Sequence, residues 1–548
     1  MFVRTLGVIA ILFTVASKTG TAADAEQTIA QLSKIRLDRA QVYSVRDITL
    51  DRDVFSITLN RGTIAFTEAI DGKVTGAVFL GSGDILAIPP DSVEKRQLFR
   101  FTKSALLSDH FETAVFRFTD SSHDDIVKEL RKHAVETPDS ADVDQILRWE
   151  AEIDRRGVFL NDRILTDLLA SRPRPFFLAQ IEGARLGWFD AVYDERREEE
   201  VFAQQNTSVN DALVWMSFNK RSEIRDPGAA ARQDLEKAAF EVTSVSNDGR
   251  QVRVKFKVDG ERVVNLLVSG NVMRVALESG MPLPFLTAAD HVAVVLPDSS
   301  HEGEQFTFQI QFAAEGGRVT PVRVNAPGMV LPASYRDQWI VEGLAGYASA
   351  AVRPNALPEA RTQVLAASPQ GEMYESRGPL WIGVRTMQLD PSSAAKAAFR
   401  EKSVWVVHML RHVIQRGGAE PLFAAFLDEL FAEFQSKPIS TFDFKKLAEK
   451  HAGKSLDWFF DDWVFGTGVP AYALDFKVEA APGGYAITGN ITQSGVPDTF
   501  EMPVPLFADE RPLGNVTVSS SGGEFRFVTR TRPQQVLLDP EKTILTRD

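Results

Sequence analysis

Between residues 41 and 119, apolar and polar positions alternate with a period of two. Val54-Phe55-Ser56-Ile57-Thr58-Leu59 is followed by Asn60-Arg61-Gly62 and then Thr63-Ile64-Ala65-Phe66. Two β-branched and aromatic runs around a glycine predict a strand, a turn and a second strand. Val74–Leu80 and Glu112–Phe118 continue the texture, which predicts a sandwich or a large antiparallel sheet. From 122 to 170 the period becomes helical: Ile126, Leu130 and His133 share a face, and Ile164, Leu165, Leu168 and Leu169 form a stripe. Strands return from 176 to 313. Phe240–Val245, a turn at Asn247-Asp248-Gly249 and the strictly alternating Val252–Val258 read as a hairpin with one face buried.

After Gly316-Gly317 the pattern turns helical over 334–352, 393–416, 420–435 and 441–450. Ser440-Thr441 is a plausible N-cap, and Gly417-Gly418 with Pro421 separates two helices. The tail from 472 is again β. The pattern predicts a multidomain α+β protein: a β-rich region over 24–315 with a helical insert near 122–170, a helical domain over 316–471, and a small β-sandwich over 472–548.

The N-terminus adds a leader. Arg4, the apolar run Leu6–Ala16 and the small residues Thr21-Ala22-Ala23 read as a signal peptide over 1–23. The run falls well short of the ~20 residues that span a bilayer, and no later segment is apolar enough. A periplasmic or secreted chain without a transmembrane segment is expected.

With 548 residues, 44% hydrophobic and 25% charged, the composition is that of an ordinary globular protein. A net charge of −13 repels a phosphate backbone, so nucleic acid is not an expected partner. The chain has no cysteine, which excludes disulfides, thiolate metal sites and cysteine nucleophiles. Any metal would need His, Asp or Glu, and there are 8 histidines.

Ser334-Tyr335-Arg336-Asp337-Gln338-Trp339-Ile340-Val341-Glu342-Gly343-Leu344-Ala345-Gly346-Tyr347 closely resembles one segment of the aminopeptidase N-type (gluzincin) zinc metallopeptidase family. There a W-x-x-E-G-x-A-x-Y helix supplies the third zinc ligand. Trp339, Glu342, Gly343, Ala345 and Tyr347 hold those positions. Gly378-Pro379-Leu380-Trp381-Ile382-Gly383 resembles the family's substrate-side linker. Lys402 with Val407-His408-Met409-Leu410-Arg411 resembles its Y-x-K-G … M-L-R helix. Thr441–Phe444, Asp457–Val464 and Gly468-Val469-Pro470 resemble its closing helices. The resemblance covers about residues 334–475 and, more loosely, Arg61-Gly62 and Val74–Phe79.

It implies a zinc aminopeptidase, yet the residues that do the chemistry depart from it. The family places H-E-x-x-H about eighteen residues before the ligand glutamate; two histidines one helical turn apart bind zinc and the intervening glutamate is the base. Here that stretch is Val319-Thr320-Pro321-Val322-Arg323, with no histidine, no acid and a proline that opposes a helix. The helical domain therefore reads as truncated between Phe312 and Ser334. The oxyanion-binding tyrosine position, two residues before Lys402, holds Arg400, and Ser403 replaces the glycine. The amine-binding G-x-M-E-N loop has no counterpart.

His408 and His412 are four apart, but Met409 stands where a base belongs, so helix packing is the expected role. His301-Glu302 begins like the motif but lies in an expected turn, with Gln305 where the second histidine belongs. Glu342 is then a vestigial ligand position, with no bound metal or cofactor expected. Asp461-Asp462, Glu372/Glu375 and the charged run Asp194–Glu200 read as solvated faces. No nucleophile elbow, P-loop or dinucleotide motif is present. The expectation is an inactive peptidase-like module that binds a peptide or protein; the alternative is an active aminopeptidase with non-standard zinc ligands including Glu342. A purely structural role centred on the β region is a third reading.

Overall fold

A computed structural model describes residues 22–132, 138–157, 160–208, 211–221, 239–288, 290–319, 330–351, 353, 355–366, 379–387, 393–415, 421–435 and 437–547. Residues 1–21 of the expected 1–23 leader, His133, Glu372, Glu375 and the 320–323 stretch lie outside these residues.

Eight strands pair in chain order as one antiparallel sheet: β1 (Leu37–Arg52), β2 (Phe55–Thr67), β3 (Gly76–Ala87), β4 (Leu107–Phe118), β5 (Phe176–Gly183), β6 (Gly187–Asp194), β7 (Val201–Ser208) and β8 (Asp211–Phe218). Helix α1 (Ala22–Leu32) precedes it and α2 (Ser92–Thr102) joins β3 to β4. Helices α3 (Ser122–Leu130), α4 (Ser140–Leu147), α5 (Glu150–Gly157) and α6 (Asn161–Leu169) fill the β4–β5 connection. Strand alternation builds two cores. Phe177, Ala179 and Ile181 join Leu98 of α2 and Ile126 of α3 on one face; Phe176 and Leu178 join Ile164 and Leu165 of α6 on the other.

The turn expected at Asn60-Arg61-Gly62 does not exist. Residues 55–67 are one long strand with a bulge between Leu59 and Arg61. Gly62 lies opposite Gly81, and a Cβ on it would meet the Leu80 carbonyl oxygen at 2.3 Å. The glycine permits close backbone approach at a bulge, the other common reason for glycine inside a strand.

A second β unit follows: β9 (Phe240–Val245), β10 (Gln251–Phe256), β11 (Val263–Ser269), β12 (Val272–Leu277), β13 (Phe285–Ala288), β14 (His291–Val295), β15 (Gln305–Phe312) and β16 (Arg318–Val319). They form two four-stranded sheets, β12-β15-β10-β9 and β13-β14-β11-β16. Val252, Val254 and Phe256 point inward against Val264, Leu266 and Val268 across a shared core, as strict alternation requires.

In the helical region β17 (Leu331–Pro332) pairs in parallel with β18 (Pro438–Ile439). The helices are α7 (Gln338–Ala351), α8 (Ala356–Ala366), α9 (Ser393–Gln415), α10 (Pro421–Phe434), α11 (Thr441–Ala452) and α12 (Asp457–Trp463). Helix α9 is central and touches α7, α8, α10 and α11. The tail forms two three-stranded sheets from β19 (Ala471–Ala481), β20 (Gly484–Ser494), β21 (Met502–Ala508), β22 (Arg511–Val518), β23 (Gly523–Thr529) and β24 (Val536–Leu538), in the orders β19-β20-β23 and β22-β21-β24. One apolar cluster runs from Trp339 and Trp405 through Phe460 and Trp463 into Ile487, Val504 and Leu545, so helices and tail share a core. No helix among the described residues is long and apolar enough to cross a membrane.

The charged run 194–200 is not the solvated stretch that its composition predicts. Asp194, Glu199 and Glu200 are buried. Arg196 donates to Asp167 of α6 and to Glu261 of the second β unit, both at 2.9 Å. Glu199 receives Arg336 and, at 2.8 Å, the hydroxyl of Tyr335, both from the turn that opens α7. Glu94 of α2 completes this junction. It accepts from Arg336 Nη2 at 2.7 Å, from Arg385 Nη1 and Nη2 at 2.9 and 3.0 Å, and from the Ser217 backbone N–H at 2.9 Å. Burial alone would raise the Glu94 carboxyl, but Arg385 and Arg336 outweigh it and hold it at about 2.

Removing one partner of a buried charge network strands the others and costs ~3–5 kcal/mol. Glu94→Gln is expected to lower the denaturant midpoint by that order, with the helical region released first. Because the folded value lies below the unfolded 4.5, Glu94's contribution is present above that pH and fades as pH falls toward 2. Acid titration of the unfolding transition, wild type against Glu94→Gln, checks it: the two curves should converge at the acid end.

Candidate functional site

The motif helix begins in a tightly capped corner. Ser334 and Asp337 form a capping box around the turn Tyr335–Asp337. The Asp337 carboxylate accepts from the Ser334 N–H at 3.0 Å on one oxygen and, on the other, from the Thr441 N–H at 2.6 Å and hydroxyl at 2.8 Å. It thereby caps the start of α11 as well. Burial raises the Asp337 carboxyl, and the Thr441 hydrogen bonds partly offset this.

The residues that carry the family pattern mostly serve packing. Trp339 is fully buried; its indole N–H donates to Thr441 Oγ1 at 3.0 Å and its ring meets Phe444 and Phe460. A Cβ on Gly343 would lie 2.7 Å from the Ser403 carbonyl oxygen, and one on Gly346 2.3 Å from a Val404 methyl, so both glycines let α7 lie directly on α9. The Tyr347 hydroxyl accepts from Arg411 at 2.9 Å and its ring meets Phe423. Ala345 is exposed. In the linker, Trp381 stacks beneath the Arg336 guanidinium, 4.1 Å from its ring centre. Gly383 adopts φ 55°, and a Cβ there would meet the Tyr335 carbonyl oxygen.

The positions that would do chemistry look different. Glu342 is half-buried on α7 and makes no hydrogen bond or ion pair among the described residues. Arg400 is exposed on α9 and pairs with Glu401 at 3.8 Å. Ser403 is buried and returns its hydroxyl to the Phe399 carbonyl at 2.9 Å. Burial lowers the Lys402 amine to about 8.

His408 and His412 stack edge to face at 4.7 Å, with Trp405 and Tyr347 around His408. Burial pushes the His408 ring down to about 4, and His412 adds to that. Burial and Arg411 lower His412, while Asp539 and Glu541 from the tail act oppositely. His301 lies in an exposed turn beside Asp259. A zinc ion needs about three protein ligands plus an open position. Among the described residues no three His, Asp or Glu groups converge to hold a metal ion. Among the described residues, then, Glu342 has no second or third ligand group beside it.

No family model matches the chain, and no curated protein matches it. Solved structures with some likeness include Legionella pneumophila aminopeptidase A in complex with aspartic acid, at TM-score 0.33 and 11% identity over 56% of this chain and 59% of that one. They also include the M1 zinc metallopeptidase from Deinococcus radiodurans, at TM-score 0.30 and 13% identity over 42% of this chain and 94% of that one. A mutant of that enzyme bound to a Tyr-Ser-Ala substrate matches at TM-score 0.29 and 12% identity. This chain spans 59% of the Legionella protein's length.

Asp461 and Asp462 part ways as adjacent helical residues should, but only Asp461 is solvated. Asp462 is 8% exposed where α12 meets the tail, and its carboxylate accepts from the Glu501 N–H at 2.9 Å. Burial pushes it up to about 7. The protonated form is the one the fold prefers, so its contribution is complete below the unfolded value of 3.8 and lost as pH rises through 7. Asp462→Asn keeps the acceptor oxygen and removes the charge. It should raise the melting temperature at pH 8 and leave it unchanged near pH 3.5. Gly343→Ala should cost ~1–3 kcal/mol, the usual range for overpacking, measured as a shift in denaturant midpoint; an unchanged midpoint would mean α7 and α9 separate freely.

Proposed function

We propose that this chain is an exported, non-hydrolytic relative of the aminopeptidase N-type zinc peptidases that works as a peptide- or protein-binding module. One observation carries the reading: Glu342 stands on a helix whose packing residues keep the family pattern, while no histidine occurs anywhere between His301 and His408. The helix pair α7–α9 thus keeps its fit without the groups that would hold zinc, activate water or stabilise an oxyanion. On this reading residues 316–471 are a truncated peptidase-like helical domain, 24–315 and 472–548 are β domains flanking it, and the 1–23 leader directs the chain to the periplasm or the exterior.

The test is elemental analysis of the purified full chain, with an aminopeptidase assay on the same sample. The expected outcome is no stoichiometric zinc and no chelator-sensitive hydrolysis, with Glu342→Gln leaving both unchanged. About one zinc per chain, lost in Glu342→Gln together with hydrolysis, would instead establish an enzyme with non-standard ligands.

A further inference from the structure

One face of the eight-stranded sheet changes character along its strands. Near one end it presents Leu178, Val192 and Phe202, buried beside α6. Further along, the same face presents two polar rows. Gln180, Asp190 and Gln204 lie side by side across β5, β6 and β7, and Glu182 and Trp188 are paired in the next row, with Asn206 on β7 beyond. A sheet face covered only for stability would stay apolar.

Groups from the helical insert complete a shelf above these rows. The Arg156 guanidinium of α5 lies 3.6 Å from the Trp188 ring centre, and the Trp149 ring lies 6.3 Å from that of Trp188. Both tryptophans are only half-buried, and Glu182 and Asn206 are exposed. Asp190, 5% exposed, accepts from Asn206 Nδ2 at 2.6 Å and Gln204 Nε2 at 3.4 Å. The Gln204 amide also donates to Asn206 Oδ1 at 3.1 Å. Gln180 is 7% exposed, and its Oε1 has no hydrogen-bond partner among the described residues. A buried acceptor left open is uncommon and calls for a donor.

We infer that this shelf binds a neutral saccharide. Three side-chain amides and two carboxylates in two adjoining rows offer donors and acceptors at the spacing of neighbouring strands, which suits hydroxyl groups that both donate and accept. The indole plates of Trp149 and Trp188 offer apolar faces for the C–H faces of a sugar ring. Arg156 is outnumbered by carboxylates, with Glu152 3.5 Å from its guanidinium and Asp190 and Glu182 in the two rows, so the shelf has no net positive charge to select an anion. This inference is independent of whether the helical region hydrolyses peptides.

The test is titration of the full chain with chitobiose, cellobiose and maltose, followed by tryptophan emission and calorimetry. At least one disaccharide should bind saturably at millimolar concentration. Trp149→Ala and Asn206→Ala should each weaken it about tenfold, or ~1.4 kcal/mol, in protein that still melts cooperatively; Asn206 is exposed, so its variant tests the shelf even if Trp149→Ala destabilises. Trp458→Phe, in the helical region, should bind as wild type. No saturable binding by any of the three, or binding indifferent to both shelf variants, overturns the inference.

Discussion

The arrangement of this molecule depends on the hairpin tip between β6 and β7. Within a few residues it sends Arg196 toward Glu261 of the second β unit and Glu199 toward Arg336 of the helical region. Ion pairs taken out of water gain little net stability, because desolvation offsets most of the attraction. What they supply is discrimination. A helical region docked differently would leave Glu94, Glu199, Arg336 and Arg385 buried without partners, at a cost of several kcal/mol. An apolar junction would tolerate sliding; this one does not.

That junction also explains why so much of the sheet's architecture was readable in the sequence while its most consequential segment was not. Alternation reports which face of a strand is buried, and Val252–Phe256 obeyed it. A charge run carries no such signal: Asp194–Glu200 looks the same whether it meets water or partners far along the chain, and Arg336 is 137 positions from Glu199. Gly62 misled for a related reason. Turns and bulges both favour glycine, and only the strand opposite, with Gly81, decides between them. Helix α8 escaped notice because Pro358 falls in its first turn, where proline is tolerated but reads as a breaker. Asp462 shows the complementary failure, since adjacency on a helix separates two acids without saying which one meets the tail.

The candidate site divides along the same line. Trp339, Gly343 and Tyr347 could be recognised in the sequence because packing demands specific shapes at fixed helical spacing. Their partners were not readable: nothing near Asp337 announces that it caps a helix starting at Thr441, more than a hundred residues away. For Glu342 and Arg400 the converse holds. Their positions were evident from spacing, yet among the described residues Glu342 makes no hydrogen bond or ion pair and the exposed Arg400 meets Glu401 alone.

The helix pair α7–α9 is held by shape rather than by paired charge or ligation. The contact between α7 and α9 is set by Gly343 and Gly346 against Ser403, Val404 and Val407, and by the Tyr347–Arg411 bond. None of these interactions involves a metal ligand or a titrating base, so a metal's presence or absence leaves their energetics untouched. Two histidines on α9, edge to face and desolvated, belong to that packing too: burial favours their neutral forms, which suits a core contact with the tail. The packing of the helical region is thus accounted for by shape and desolvation, residue by residue, among the described residues.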